Sequence, residues 1–200
     1  LRRSRGLGDV YKRQLHSSNV CALTSVRSDF GSLASTMLDS LAARMRLELD
    51  HNNKQKILDA FATMPAHPDM SEALETLKAA GYRTIAFTNS SIQLVTSQIA
   101  NSGLTDLFDQ QISVESTGSF KPDTKVYQHA AKQADRPIKA LRLIATHDWD
   151  THGALSAGMK AGYIDRTGAP YHPQYLRPDA FAKSMTELVE QIIKLDAKSV

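Results

Sequence analysis

Two hundred residues with 42% hydrophobic and 22% charged side chains, ten Gly and seven Pro describe one globular domain with room for a small subdomain. They exclude a disordered, collagenous or coiled-coil chain. No apolar run approaches the roughly 18 residues that cross a bilayer, and no charged-then-apolar leader opens the sequence, so no membrane partner and a cytoplasmic location are expected.

The formal charge of +3 would suit a nucleic-acid partner only if it lay on the folded domain. Arg2, Arg3, Arg5, Lys12 and Arg13 all fall within residues 1–14, against Asp9 alone, and the rest of the chain carries 19 basic and 20 acidic residues. No nucleic-acid partner is therefore expected. The segment LRRSRGLGDVYKRQ has neither helical nor strand periodicity and resembles translated sequencing-adaptor sequence, so residues 1–14 are set aside as a non-native tail. The alternative is a basic arm for an acidic partner. Cys21, the single cysteine, excludes an internal disulfide and is expected to be a buried small hydrophobe.

Residues 15–64 read as helical throughout. Asp29 is placed to cap a helix whose apolar positions Phe30, Leu33, Met37, Leu38, Leu41 and Met45 recur at three- and four-residue spacing. Asp50 is placed to cap a second, with Ile57, Leu58 and Phe61 inward, giving a helical bundle. Pro65 and Pro68 mark a boundary before a helix carrying Leu74 and Leu77, and residues 65–200 form the second unit. After Gly81 strands and helices alternate: a strand over 83–88, a helix over 91–100, a strand over 111–114 and a helix over 123–134. A strand over 141–145, a helix over 150–160 stopped at Gly162 and a last strand over 162–165 follow. A loop with Tyr171, His172 and Tyr175 precedes a final helix over 184–195. This alternation predicts an α/β fold with a parallel sheet, whose ligands bind beyond the carboxyl ends of the strands.

Those ends carry Thr88-Asn89-Ser90, Lys121 in Ser-Phe-Lys-Pro, and Thr146-His147-Asp148-Trp149-Asp150. Singly, they read as a helix cap, a solvated turn and an acidic helix start. Together, a hydroxyl and an amide, a cation and a carboxylate at one sheet edge make a site for a small anionic substrate attacked by an acid-base pair. His16, His51, His67, His129, His152 and His172 show no paired metal-ligand spacing and read as surface or loop imidazoles.

In these residues the chain from 15 to 200 resembles the haloacid dehalogenase superfamily, closest to its (S)-2-haloacid dehalogenase branch. The resemblance implies a Rossmannoid sheet with residues 15–64 as an α-helical cap subdomain. It implies catalytic roles for Thr88, Lys121 and Asp150, and substrate contacts for Asn89, Tyr127, His147, Trp149 and Phe30. Superfamily phosphatases place a magnesium-binding Asp four residues before the second acid of the fourth motif. Thr146 stands there, so neither metal nor other cofactor is expected. Asp148 reads as a solvated or capping residue, with displaced metal ligand as its alternative.

The superfamily's nucleophile, an aspartate ending a first strand upstream of the cap, has no counterpart in residues 1–14, where Asp9 follows Gly-Leu-Gly. The chain is therefore expected to be truncated, without the central strand between those ending at Thr88 and Ala145, and inactive by itself. The full-length parent is expected to convert short 2-haloalkanoic acids to 2-hydroxy acids through an Asp ester, and a homodimer through the cap helices fits the resemblance. A magnesium-dependent phosphatase and a non-catalytic binding domain are the rival readings.

Overall fold

The computed structural model describes residues 28–198 together with residues 17, 20 and 21. The 1–14 tail and His16 lie outside the described residues. Between residues 28 and 64 lie two helices, α1 (Phe30–Met45) and α2 (His51–Ala60). Each starts at a carboxylate that accepts an orphan backbone N–H, Asp29 from Ser32 and Asp50 from Asn53, both at 2.8 Å. Phe30 meets Phe61 edge to face at 6.3 Å, and Lys54 pairs with Asp39 across the two helices at 2.6 Å.

The expected inner face of α2 is corrected: Ile57 is exposed, Leu58 and Phe61 are half-buried, and no residue of the helix is fully buried. Two helices packed along one seam cannot enclose a third row of side chains, so α2 rests on α1 rather than completing a bundle. Cys21 is half-buried, not buried, and packs against the cluster around Tyr127.

In chain order the second unit comprises α3 (Met70–Ala79), β1 (Ile85–Thr88), α4 (Ile92–Asn101), β2 (Gln110–Ser113), α5 (Thr124–Ala134) and β3 (Arg142–Ala145). Then come α6 (Asp148–Ser156), β4 (Lys160–Ile164), β5 (Ala180–Ala182) and α7 (Met185–Ala197). Side-chain caps set several of these starts: Ser91 accepts from Leu94, Asp123 from Lys125 and Ser184 from Glu187.

Two expectations fail here. Helix α6 stops at Ser156, turned by Gly158 at φ +97°, and Gly162 lies inside β4 rather than ending a helix. A Cβ on Gly162 would stand 3.2 Å from Leu188 Cδ2, so the glycine serves the close packing of α7 on the sheet. The 162–165 strand is also not the last. Strand β5, only three residues long, pairs parallel to β4, and its buried-exposed-buried pattern is too short to read against the polar loop before it.

All pairings are parallel. β1 and β2 run from Ile85 opposite Gln110 to Thr88 opposite Ser113, and β3, β4 and β5 form a second ladder in that order. Among the described residues the two ladders stay separate. Helices α3 and α7 cover one side with Leu77, Met185, Leu188, Val189 and Ile192. Val126, Tyr127, Ala130, Leu143 and Ala154 pack around α5, β3 and α6. Burying Leu188 and Ile192 contributes roughly 2 kcal/mol each.

Arg166, just past β4, grips Asp69 with two bonds of 2.7 and 2.8 Å, and Asp69 also accepts the Met185 N–H at 2.7 Å. One carboxylate thus joins the starts of α3 and α7 to the end of β4. Among the described residues no helix is long and apolar enough to cross a membrane.

Candidate active site

The carboxyl ends of β1 and β3 meet through one ammonium. Lys121 Nζ donates to the Phe87 carbonyl at 2.9 Å and to Asp150 Oδ2 at 3.2 Å, and sits 4.1 Å from the centre of the Phe87 ring. Its side chain is 7% exposed and that of Asp150 8%, so the pair is desolvated and depends on its remaining hydrogen bonds. Asp150 receives one more: the Tyr127 hydroxyl donates to its Oδ1 at 2.7 Å and to its backbone carbonyl at 3.2 Å. Tyr127 is fully buried. Burial, reinforced by the Asp150 charge, pushes its phenol far above the usual range and keeps it a donor.

The approach of α6 to α5 needs Gly153, where a Cβ would lie 2.6 Å from Tyr127 Oη and 2.7 Å from Pro122 Cβ. In the sequence Gly153-Ala154 after Trp149-Asp150 supports the resemblance without revealing this close approach. Its signal was a glycine one helical turn beyond an acid, on the same face.

Asn89 faces the same place, its Oδ1 accepting the Lys121 backbone N–H at 2.9 Å, which fixes the lysine's loop and leaves the amide NH2 as a donor. Thr88 ends β1 beside it. Its Oγ1 accepts the Ser90 N–H at 3.0 Å, a local turn, and retains its own proton to donate. His147 precedes α6, stacked on Trp149 with ring centres 5.5 Å apart. Burial, partly opposed by the Asp150 charge, pulls the His147 pKa below the usual imidazole value, which leaves the ring neutral at pH 7.

Lys121, Asp150, Tyr127 and Asn89 are therefore joined directly, with Thr88 and His147 at the adjoining strand ends. Phe30 stands apart from this group. It lines a cavity of about 460 Å³ between the start of α1 and the loop leading to Lys121, with Asp29, Glu115, Ser116, Ser119 and Phe120.

Asp148 is half-buried and takes the capping role expected of it: its Oδ1 accepts the Trp149 N–H in the first turn of α6 at 2.8 Å and its Oδ2 the His172 N–H at 3.2 Å. Among the described residues no three His, Cys, Asp or Glu side chains gather as a metal-binding group.

A desolvated carboxylate held by an ammonium and a phenol, beside a neutral imidazole, can orient a water and move its proton while the lysine offsets an anion's charge. An α/β chain with polar groups gathered at the carboxyl ends of parallel strands has the layout of an enzyme site. The haloacid dehalogenase-like hydrolase family matches residues 26–141, more than half of the chain, and the chain belongs to it.

Within that family it is similar to (S)-2-haloacid dehalogenase 1 of Pseudomonas sp. (strain CBS-3), with 29% identity over 184 residues, 92% of this chain and 81% of that protein. Phosphatase MT3486 of Mycobacterium tuberculosis (strain CDC 1551 / Oshkosh) is 32% identical over 136 residues, 67% of this chain and 62% of that protein. The L-2-haloacid dehalogenase from Xanthobacter autotrophicus, solved with chloropropionic acid covalently bound, shares the fold with a TM-score of 0.85. It is 21% identical, the match covering 92% of this chain and 84% of that one.

Proposed function

We propose that this site serves the hydrolytic dehalogenation of short 2-haloacids. The observation that carries the reading is the buried Lys121–Asp150–Tyr127 group beside Asn89 at the joined ends of β1 and β3. An aspartate from outside the described residues attacks C2 from behind the carbon–halogen bond, the C–O bond forming as halide leaves with the bonding pair. A 2-haloacid relative holds chloropropionic acid covalently, which supports an ester intermediate. Water then adds to the ester carbonyl, losing its proton toward Asp150, with His147 orienting it. The ester breaks to return the carboxylate and a 2-hydroxy acid of inverted configuration, and the net products are halide, hydroxy acid and one proton. Asn89 and Lys121 hold the substrate carboxylate, Thr88 donates to its oxygens, and Trp149 borders the carbon chain.

No metal takes part in this scheme. Thr146, where the resemblance would require a carboxylate for magnesium, supports that. The phosphatase relative favours one rival, a magnesium-dependent phosphatase.

The test joins an upstream segment, an apolar strand ending in Asp, to residues 15–200 and measures chloride release from (S)-2-chloropropionate beside p-nitrophenyl phosphate turnover with and without magnesium. Chloride release without metal is expected. Turnover of the phosphate ester only, and only with magnesium, would establish the rival.

A further inference from the structure

Helix α6 presents two polar faces, and the site uses one. Asp150, Gly153 and Ala154, spaced i, i+3 and i+4, turn toward Tyr127, Pro122 and the core. Asp148, Thr151 and His152, with the same spacing, turn toward the loop 169–178 that joins β4 to β5. There the Asp148 carboxylate accepts the His172 N–H at 3.2 Å and His152 Nδ1 accepts the Leu176 N–H at 3.1 Å. The fully buried Thr151 hydroxyl lies 2.9 Å from the Tyr171 hydroxyl, which itself donates to the Leu176 carbonyl at 2.8 Å. Tyr175 is stacked between the imidazoles of His152 and His172, at 4.5 and 4.2 Å. Tyr171 stands edge-on to Tyr163 of β4 at 5.0 Å, which anchors the loop to the sheet.

A nine-residue helix is marginal by itself, and its first turn has no side-chain cap from His147. Something else must set its rotation about its axis, and that rotation decides where the Asp150 carboxylate points.

We propose that the loop 169–178 is a strap that orients Asp150 from behind, with Thr151 and Tyr171 as positioning residues and His152 as the second fastening. The proposal rests on the reading of Asp150 as the working carboxylate, but its first test does not. Trp149, the single tryptophan, lies between Asp148 and Asp150 and reports on the turn directly. In the 200-residue chain, Y171F keeps the ring and removes the hydroxyl's bonds to Thr151, to the Leu176 carbonyl and, at 3.4 Å, to the Asp148 carbonyl. Amide exchange across residues 148–154 should quicken about tenfold, the loss of roughly one hydrogen bond, and Trp149 emission should shift to the red. H152L should do the same, and H152N, whose side-chain oxygen can take the Leu176 N–H, should restore the wild-type values.

Faster exchange confined to 169–178, with 148–154 and Trp149 unmoved, would overturn the proposal, and so would an H152N no better than H152L. In the extended chain that releases chloride, Y171F should lower kcat about tenfold at unchanged KM. If that assay fails for the unsubstituted protein while the Trp149 shift is present, the dehalogenase reading is lost and the strap is not.

Discussion

The two ends of β3 carry the same three kinds of side chain and use them differently. Beyond its carboxyl end, Lys121, Asp150 and Tyr127 form one buried group with a single cation. At its amino end, Asp196 of α7 accepts from Lys160 at 2.9 Å, Arg142 at 3.2 Å and Tyr82 at 3.1 Å, and Arg142 also pairs with Asp179. In that second group two cations face Asp196, and Lys160 is 42% exposed, so water and a second cation share the work. It staples α7 to the first residues of β3 and β4. The first group has no spare charge and little water, and every lost partner there leaves an uncompensated ion or donor. The same chemistry tolerates a lost partner where solvent reaches it and does not where solvent is excluded.

The comparison breaks most sharply on the two aspartates. D150N leaves the Lys121 ammonium buried without its counter-charge and should cost about 3 kcal/mol in urea unfolding. It should also lower chloride release by the extended chain about 100-fold or more. D196N should cost about 1 kcal/mol and change that rate by less than about twofold. Equal effects on stability would mean that burial does not separate the groups.

Next is G153A, where the added methyl meets Tyr127 Oη and Pro122 Cβ. Overpacking there should cost about 2–3 kcal/mol, and a crystal structure should show Tyr127 drawn away from Asp150.

A third ion pair sharpens the scale. The Arg166 guanidinium beside Asp69, with the Met185 N–H, holds its carboxyl at about 2, below the ordinary 3.8. A depressed carboxylate contributes stability that is full above its unfolded value, so about 2 kcal/mol should be present above pH 4 and lost as the pH falls through about 2. R166M should remove that loss from the acid limb of thermal unfolding measured against pH. Last, I57S on the exposed face of α2 should move stability by less than about 0.5 kcal/mol, which calorimetry would register as no change.

Much of the fold was legible because it is encoded locally. Asp29, Asp50, Ser91, Asp123 and Ser184 announce helix starts through bonds to N–H groups only two or three residues away. The strand-end polar groups were legible as a set because parallel strands must deliver them to one edge. Strand β5 and the end of α6 were not, since three residues give no period and Gly158 and Gly162 offer two equally good stops. Tyr171, His152 and His172 looked like loop residues for a related reason: their partners lie 5 to 24 residues away, beyond any local pattern.

The sequence by itself determined the alternation of strands and helices, the caps, and which polar side chains would reach the carboxyl edge, since each depends on backbone periodicity or on neighbours within a turn. Only the tertiary structure decided which of those groups touch: that Lys121 spends its protons on Phe87 and Asp150, that Gly153 lets Tyr127 close in, and that α6 is held from both sides. Those are contacts between segments tens of residues apart, fixed by packing and desolvation, and no short window of sequence contains them.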